Sequence, residues 1–209
     1  MKKYLILVAV LVLTAACSGG EDCTIKGTVP DDVKTVLLID RSEHVLDSSF
    51  VSNGEFRFVC DRSVEEPVAI KINRYNEPVI IIPDSKEINV KINAKDVSIK
   101  GSKLSKEHAA LEKWAVNLYM TTSNQLEKLF EAGDTDAADA LVDSRDTEIV
   151  KHCKPIFKAH KADYVGVLAM VLMQNKLDKK EFLKLYDSAG DCVKNDFRVS
   201  VYHDSLTSK

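Results

Sequence analysis

Five cysteines are the residues of this 209-residue chain with the clearest capacity for chemistry: Cys17, Cys23, Cys60, Cys153 and Cys192. A thiol can be a nucleophile, a metal ligand or a disulfide partner, and spacing separates these uses. No Cys-x-x-Cys pair occurs in the sequence. His152 directly precedes Cys153, but neighbours at i and i+1 diverge around a helix, which places the imidazole poorly for activating the thiol. A zinc set drawn from His152, Cys153, His160 and Cys192 matches no compact ligand spacing. Asp47-Ser48-Ser49 offers hydroxyl groups beside a carboxylate, yet it lacks the glycine-flanked elbow of hydrolases. Neither His44 nor His203 has a sequence reason to complete a triad there. Glu65-Glu66 and Asp84 follow no calcium-loop spacing. A glycine-rich phosphate loop is missing too, so we expect no cofactor and no catalytic centre.

Cys17 stands apart because of what precedes it. Lys2 and Lys3 lead into ten apolar residues, Tyr4 to Leu13, and then Thr14-Ala15-Ala16. This is the anatomy of a secretory signal, too short to remain as a spanning helix. The cysteine after Ala15-Ala16 resembles the lipobox of bacterial lipoproteins, although Thr14 stands where leucine is common and Leu13 lies one position further back. The resemblance implies that residues 1–16 are a signal peptide and that Cys17 becomes the acylated first residue. The alternative is an ordinary cleavage after Ala16 that leaves Cys17 without lipid. Residues 17–22 then form the lipidated cysteine and a polar tether, in which Glu21-Asp22 resembles the surface-export signal of Bacteroidetes lipoproteins. We expect an envelope lipoprotein of the outer membrane, with the periplasmic or surface face left open.

Loss of the leader leaves 193 residues and takes the formal charge from -3 to -5, because Lys2 and Lys3 leave with it. An acidic chain without a basic cluster has no electrostatic footprint for nucleic acid. Its hold on a membrane would come from several acyl chains rather than a polybasic patch.

Export also changes the reading of the other thiols. Four cysteines in an oxidising compartment argue for two disulfides, and sequence alone allows three pairings. Cys23 and Cys60 fall on inward faces of strands, while Cys153 and Cys192 lie in a helical region. We therefore favour Cys23 with Cys60 and Cys153 with Cys192. Each would close a loop of nearly forty residues and contribute about 4 kcal/mol in the chain-entropy model.

The elements that position these groups change period once. From Cys23 to Gly101 apolar residues alternate, as in Phe56, Phe58 and Cys60 or Ile88, Val90 and Ile92. Asn53-Gly54 suits a tight turn with positive φ at both central positions, linking Val45–Val51 with Glu55–Cys60 as a hairpin. Seven or eight short strands predict a small antiparallel sandwich or partly closed barrel. After Gly101 the period becomes helical. Leu104, His108, Leu111, Ala115, Leu118, Thr122 and Leu129 trace one face over 103–131. A second helix runs from Thr135 toward Lys161, with Pro155 expected to kink or divide it. Asp163 can cap Tyr164–Gln174, Asp178 with Glu181 forms a capping box, and a last helix covers Asn195–Leu206. The fold class is thus α+β, with a strand-rich domain over 23–101 and a helical domain over 102–209. Most aromatic residues of the helical part belong to packing; Trp114 and Tyr119 are the candidates for partner-binding anchors.

Three passages carry a family resemblance: Cys23-Thr24-Ile25-Lys26-Gly27-Thr28-Val29, Val45-Leu46-Asp47-Ser48, and Val51 through Phe58. With Val79–Pro83, Ile88–Ile92 and Val97–Ser102 they resemble an amino-terminal domain of unknown function found in many Bacteroidetes lipoproteins. Tyr164-Val165-Gly166, Leu177–Phe182 and Leu185-Tyr186 extend the similarity into the helices. In many relatives a thioredoxin-like module follows. Here the chain stops at Lys209 without its Cys-x-x-Cys, so the resemblance implies fold and location and not oxidoreductase activity. The expectation is a lipid-anchored accessory or binding protein that acts beside an envelope protein partner. A thiol-redox-associated protein and a glycan- or peptide-binding module are the alternatives.

Overall fold

The computed structural model describes residues 22–61, 66–72, 77–93 and 96–208. The leader, Cys17, most of the tether and Glu65 lie outside the described residues. Eight strands come first: β1 (Asp22–Thr28), β2 (Thr35–Ile39), β3 (Val45–Phe50), β4 (Glu55–Asp61), β5 (Val68–Lys71), β6 (Val79–Ile81), β7 (Glu87–Ile92) and β8 (Val97–Lys100). Six α-helices follow: α1 (Lys103–Glu131), α2 (Thr135–Ala159), α3 (Tyr164–Met173), α4 (Lys179–Asp187), α5 (Asp191–Lys194) and α6 (Phe197–Thr207). The fold is α+β.

The strands make two four-stranded sheets, ordered β4-β1-β7-β8 and β3-β2-β5-β6. Between them lies one apolar cluster that includes Ile25, Val36, Leu38, Phe58, Ile70 and Ile88. One-sided burial explains the alternation seen in β1, β4 and β7. Two features depart from the expected antiparallel pattern. β1 and β7 run parallel, with Ile25 opposite Ile88. The chain between them passes through the other sheet and returns in the same direction.

The second departure is at the Asn53-Gly54 turn. Both residues have positive φ, 53° and 75°, and Ser52 and Glu55 exchange backbone hydrogen bonds of 2.9 and 3.1 Å. Beyond that single bridge the strands part: β3 pairs with β2 and β4 with β1. The turn is local, but the ladder is decided by packing. Gly27 lies opposite Phe56, and a Cβ there would stand 2.8 Å from the Phe56 ring and 2.0 Å from the Val90 carbonyl oxygen. Only glycine leaves room for Phe56 over the middle strand of its sheet, and that fit holds β4 beside β1. By contrast β3 has no buried residue, so nothing draws it into the same sheet.

In the helical part α3 is the central element. Tyr164, Val165, Gly166, Val167, Ala169, Met170 and Met173 are all buried, as expected for a helix apolar on every side. Asp163 caps it, accepting from the backbone N–H of Val165 and Gly166. Asp178 caps α4 through the Glu181 N–H, but the reciprocal half of the capping box is not made. The Glu181 carboxylate pairs instead with Lys154 of α2. Pro155 does not divide α2, which continues to Ala159. Its side chain is exposed, so the ring meets solvent, and the missing N–H removes one ladder bond near the helix end.

Strands and helices are joined by a buried polar knot. Ile82, just after β6, inserts into the helical apolar cluster. Its N–H donates to Ser105 Oγ at 2.8 Å, and its carbonyl accepts from the Ser102 and Ser105 hydroxyls, each at 3.2 Å. Asp84 Oδ2 accepts from the N–H groups of Lys103 and Leu104 at 2.9 and 2.8 Å. The first turn of α1 is therefore capped by the sheet-side loop, which satisfies donors that a helix start leaves unpaired.

Candidate ligand groove between strands and helices

The turn between β2 and β3 is built to project one side chain. Asp40 Oδ1 accepts from the N–H groups of Ser42 and His44 at 2.8 and 2.9 Å, and Glu43 takes φ of 63°. Arg41, at the apex, reaches across to the helices. Its Nη1 donates to the Tyr164 hydroxyl at 2.8 Å and its Nη2 to Asp196 Oδ2 at 2.5 Å. Asp196 is the cap of α6, and its side chain is fully buried. It also accepts from Arg198, at Oδ1 from the backbone N–H and Nε (3.0 and 3.1 Å) and at Oδ2 from Nη2 (3.1 Å). Burial opposes ionisation of Asp196, but the guanidiniums of Arg198 and Arg41 outweigh it and hold the carboxyl below its ordinary range.

Around this cluster lies a groove of about 670 Å³ whose lining includes Arg41, His108, Glu112, Tyr164, Phe197 and Arg198. That volume is in the range of small-ligand sites. His108 is buried on α1, and burial followed by the Arg198 charge pushes its imidazole down to about 4. At neutral pH it is uncharged. Glu112 is exposed, yet partial desolvation at the wall and then Glu77 push its carboxyl up. Phe197 is 73% exposed at the groove's lip. A smaller cleft of about 320 Å³ continues past His108 and Glu112 between α1 and the strands β6 and β8. The arrangement offers guanidinium donors, a neutral imidazole, a carboxyl and an aromatic lip. Such a set suits recognition of a polar ligand through hydrogen bonds and one apolar contact.

The candidates read from sequence lie elsewhere. Cys23 and Cys60 are register partners across β1 and β4. Both are thiols, and burial, followed by Cys23 and the carboxylates of Asp61 and Asp22, pushes the Cys60 thiol up to about 12. Cys153 is buried on α2, and burial pushes its thiol up to about 11 despite Lys176. Cys192 on α5 is half-buried and packs against the same apolar cluster. Both of these are thiols as well. Among the described residues no group of three or more His, Cys, Asp or Glu side chains is arranged to hold a metal ion. Ser49 Oγ accepts from the Arg57 N–H of β4 at 3.2 Å, so it bridges the parting strands. His44 and His203 contact Asp40 and Asp204 instead of a serine.

Trp114 and Tyr119 are both half-buried against the helical cluster. The Trp114 ring stacks on His152 with centroids 3.7 Å apart, and the Arg145 guanidinium lies over Tyr119 at 5.2 Å. Neither reaches the interdomain groove. Sequence reasoning missed Arg41, Asp196 and Arg198. A clue existed in Asp196 preceding Phe197 at a helix start, but nothing local said that its carboxylate would be buried.

Residues 23–108 match the family described as a domain of unknown function (DUF4369). The match runs from β1 through β8 and into α1, ending at His108 in the groove wall. No curated protein matches the chain.

Proposed function

We propose that the protein is a lipid-anchored, non-catalytic binding module of the bacterial envelope, held at the outer membrane by acylated Cys17. Its groove takes a polar ligand or the exposed segment of an envelope partner. The observation that carries the binding reading is the Arg41–Asp196–Arg198 cluster. It fixes the meeting of strands and helices and leaves hydrogen-bond donors beside the exposed Phe197. The anchoring reading rests on the leader that ends at Ala15-Ala16-Cys17. Thiol chemistry is the competing reading, and the raised thiols of Cys60 and Cys153 weigh against it, because the thiolate is the reactive form. The same burial suits a structural role, and we propose that Cys23 and Cys60 close a cross-strand disulfide after export. Cys153 with Cys192 is the second proposed bridge.

The test has two parts. Mass spectrometry of the amino-terminal peptide from native envelope should give acylated Cys17, and an unmodified first residue would contradict anchoring. Crosslinking in the same envelope should give an adduct that Phe197→Ala removes and Phe130→Ala, in the last turn of α1, retains. Equal loss or equal retention in both variants would contradict the groove.

A further inference from the structure

A second cleft, of about 540 Å³, lies between α1, α2 and the first turn of α3. Its walls are apolar and include Leu111, Trp114, Pro155, Ile156 and Val165, while Glu107 and His160 bring polar groups into it. Glu107 Oε2 is buried and has no hydrogen-bond partner. His160 Nε2 is near it, at 3.5 Å, but does not make the bond. The imidazole is held from behind: Nδ1 is 2.8 Å from Asp163 Oδ2, and Asp163 Oδ1 is fixed by capping α3. The backbone there has no slack, since a Cβ on Gly166 would fall 1.6 Å from the His160 carbonyl oxygen. Lys103 approaches only Glu107 Oε1, at 3.8 Å, from an exposed position.

Two carboxylates thus face one imidazole and the exposed Lys103 ammonium, so acidic groups at this end of the cleft are never outnumbered by basic ones. A desolvated carboxylate oxygen without a donor is an open acceptor that an N–H group would satisfy. We propose that the cleft binds a ligand carrying a protonated primary amine on a compact apolar body. The ammonium donates to Glu107 Oε2, and the body lies against Trp114, whose ring is fixed as a wall by its stack on His152. Charge and hydrogen-bonding capacity both select this class over a carboxylate or a neutral apolar molecule. The site is separate from the interdomain groove and does not depend on the function proposed for it.

Trp114 is the sole tryptophan of the chain, so its fluorescence reports on this cleft directly. The mature protein would be titrated with cyclohexylammonium, cyclohexanol and cyclohexanecarboxylate at constant ionic strength. The expected result is a saturable change with the ammonium, about tenfold or more tighter than with the alcohol, and none with the carboxylate. Glu107→Gln should lower the ammonium affinity by about tenfold or more while the circular dichroism is unchanged. Substituting acetyl-lysine-methylamide for cyclohexylammonium distinguishes a peptide side chain from a free amine as the source of the ammonium. An equal response to alcohol and ammonium, or no saturation with either amine, would overturn the proposal. The wild-type ligand series decides it even where Glu107→Gln fails to fold.

Discussion

Replacing Arg41 by alanine removes two hydrogen bonds that cross from the strands to the helices, one to the Tyr164 hydroxyl and one to Asp196. The carboxylate it leaves is fully buried, whereas the Arg41 side chain is 34% exposed. Hydrogen bonds to charged groups contribute roughly 1.5–3 kcal/mol. The exposure of Arg41 lowers that figure through screening, and Arg198 still neutralises Asp196. We expect Arg41→Ala to cost about 2 kcal/mol, which is about 4–8 °C in Tm for a chain of this size. Asp196→Ala should cost more, about 3–5 kcal/mol, because it also removes the α6 cap and leaves two guanidiniums together. In the double variant the losses should not add, with a coupling of about 1 kcal/mol or more. Urea unfolding followed by circular dichroism measures all four proteins. The coupling also has a pH signature. Asp196 is held below its ordinary value in the folded state, so its contribution is complete above the unfolded value near 4 and is lost as pH falls through the folded one. Additive losses at pH 7, or an Arg41→Ala variant within about 0.5 kcal/mol of wild type, would refute the clamp.

Three further outcomes follow from the same geometry. His108 is lowered from 6.5 to about 4, so the unfolded chain takes up its proton first. Stability tied to His108 is complete above pH 6.5 and falls by about 3 kcal/mol as pH drops toward 4. His108→Leu should flatten that part of the profile; Glu112 is raised and acts in the opposite sense, so the variant comparison isolates the histidine. Gly27→Ala places a Cβ against the Val90 carbonyl oxygen and the Phe56 ring, and thermal unfolding should show a loss of about 3 kcal/mol or more, since the nearest obstacle is backbone. Peptide mapping of exported protein under non-reducing conditions should recover Cys23 joined to Cys60, and two independently alkylated peptides would count against the bridge.

Where burial is one-sided, the sequence was a good guide. Ile25, Phe56, Phe58, Ile88 and Val90 point inward as their alternation requires, and Asp163 and Asp178 cap the helices expected of them. Asn53-Gly54 identifies a turn because positive φ is a local demand. It does not identify the partner of either strand, which Gly27 and Phe56 decide from different parts of the chain. The capping box at Asp178 is half legible for the same reason, since Lys154 competes for Glu181 from another helix. The groove was illegible. Arg41 and Asp196 are 155 residues apart, and a surface-loop arginine and a helix-cap aspartate read separately as ordinary solvated groups.

Under the proposed function, an anchored protein presents the groove beside Phe197 to a partner or ligand in the envelope. A photoreactive amino acid is placed at position 197 of the full chain in its native membrane, with position 130 in the last turn of α1 as a control and Cys17→Ala as the unanchored form. The expected result is a defined adduct from position 197 that is missing at position 130 and lost without Cys17. The same adduct from both positions, or one indifferent to Cys17, would contradict it.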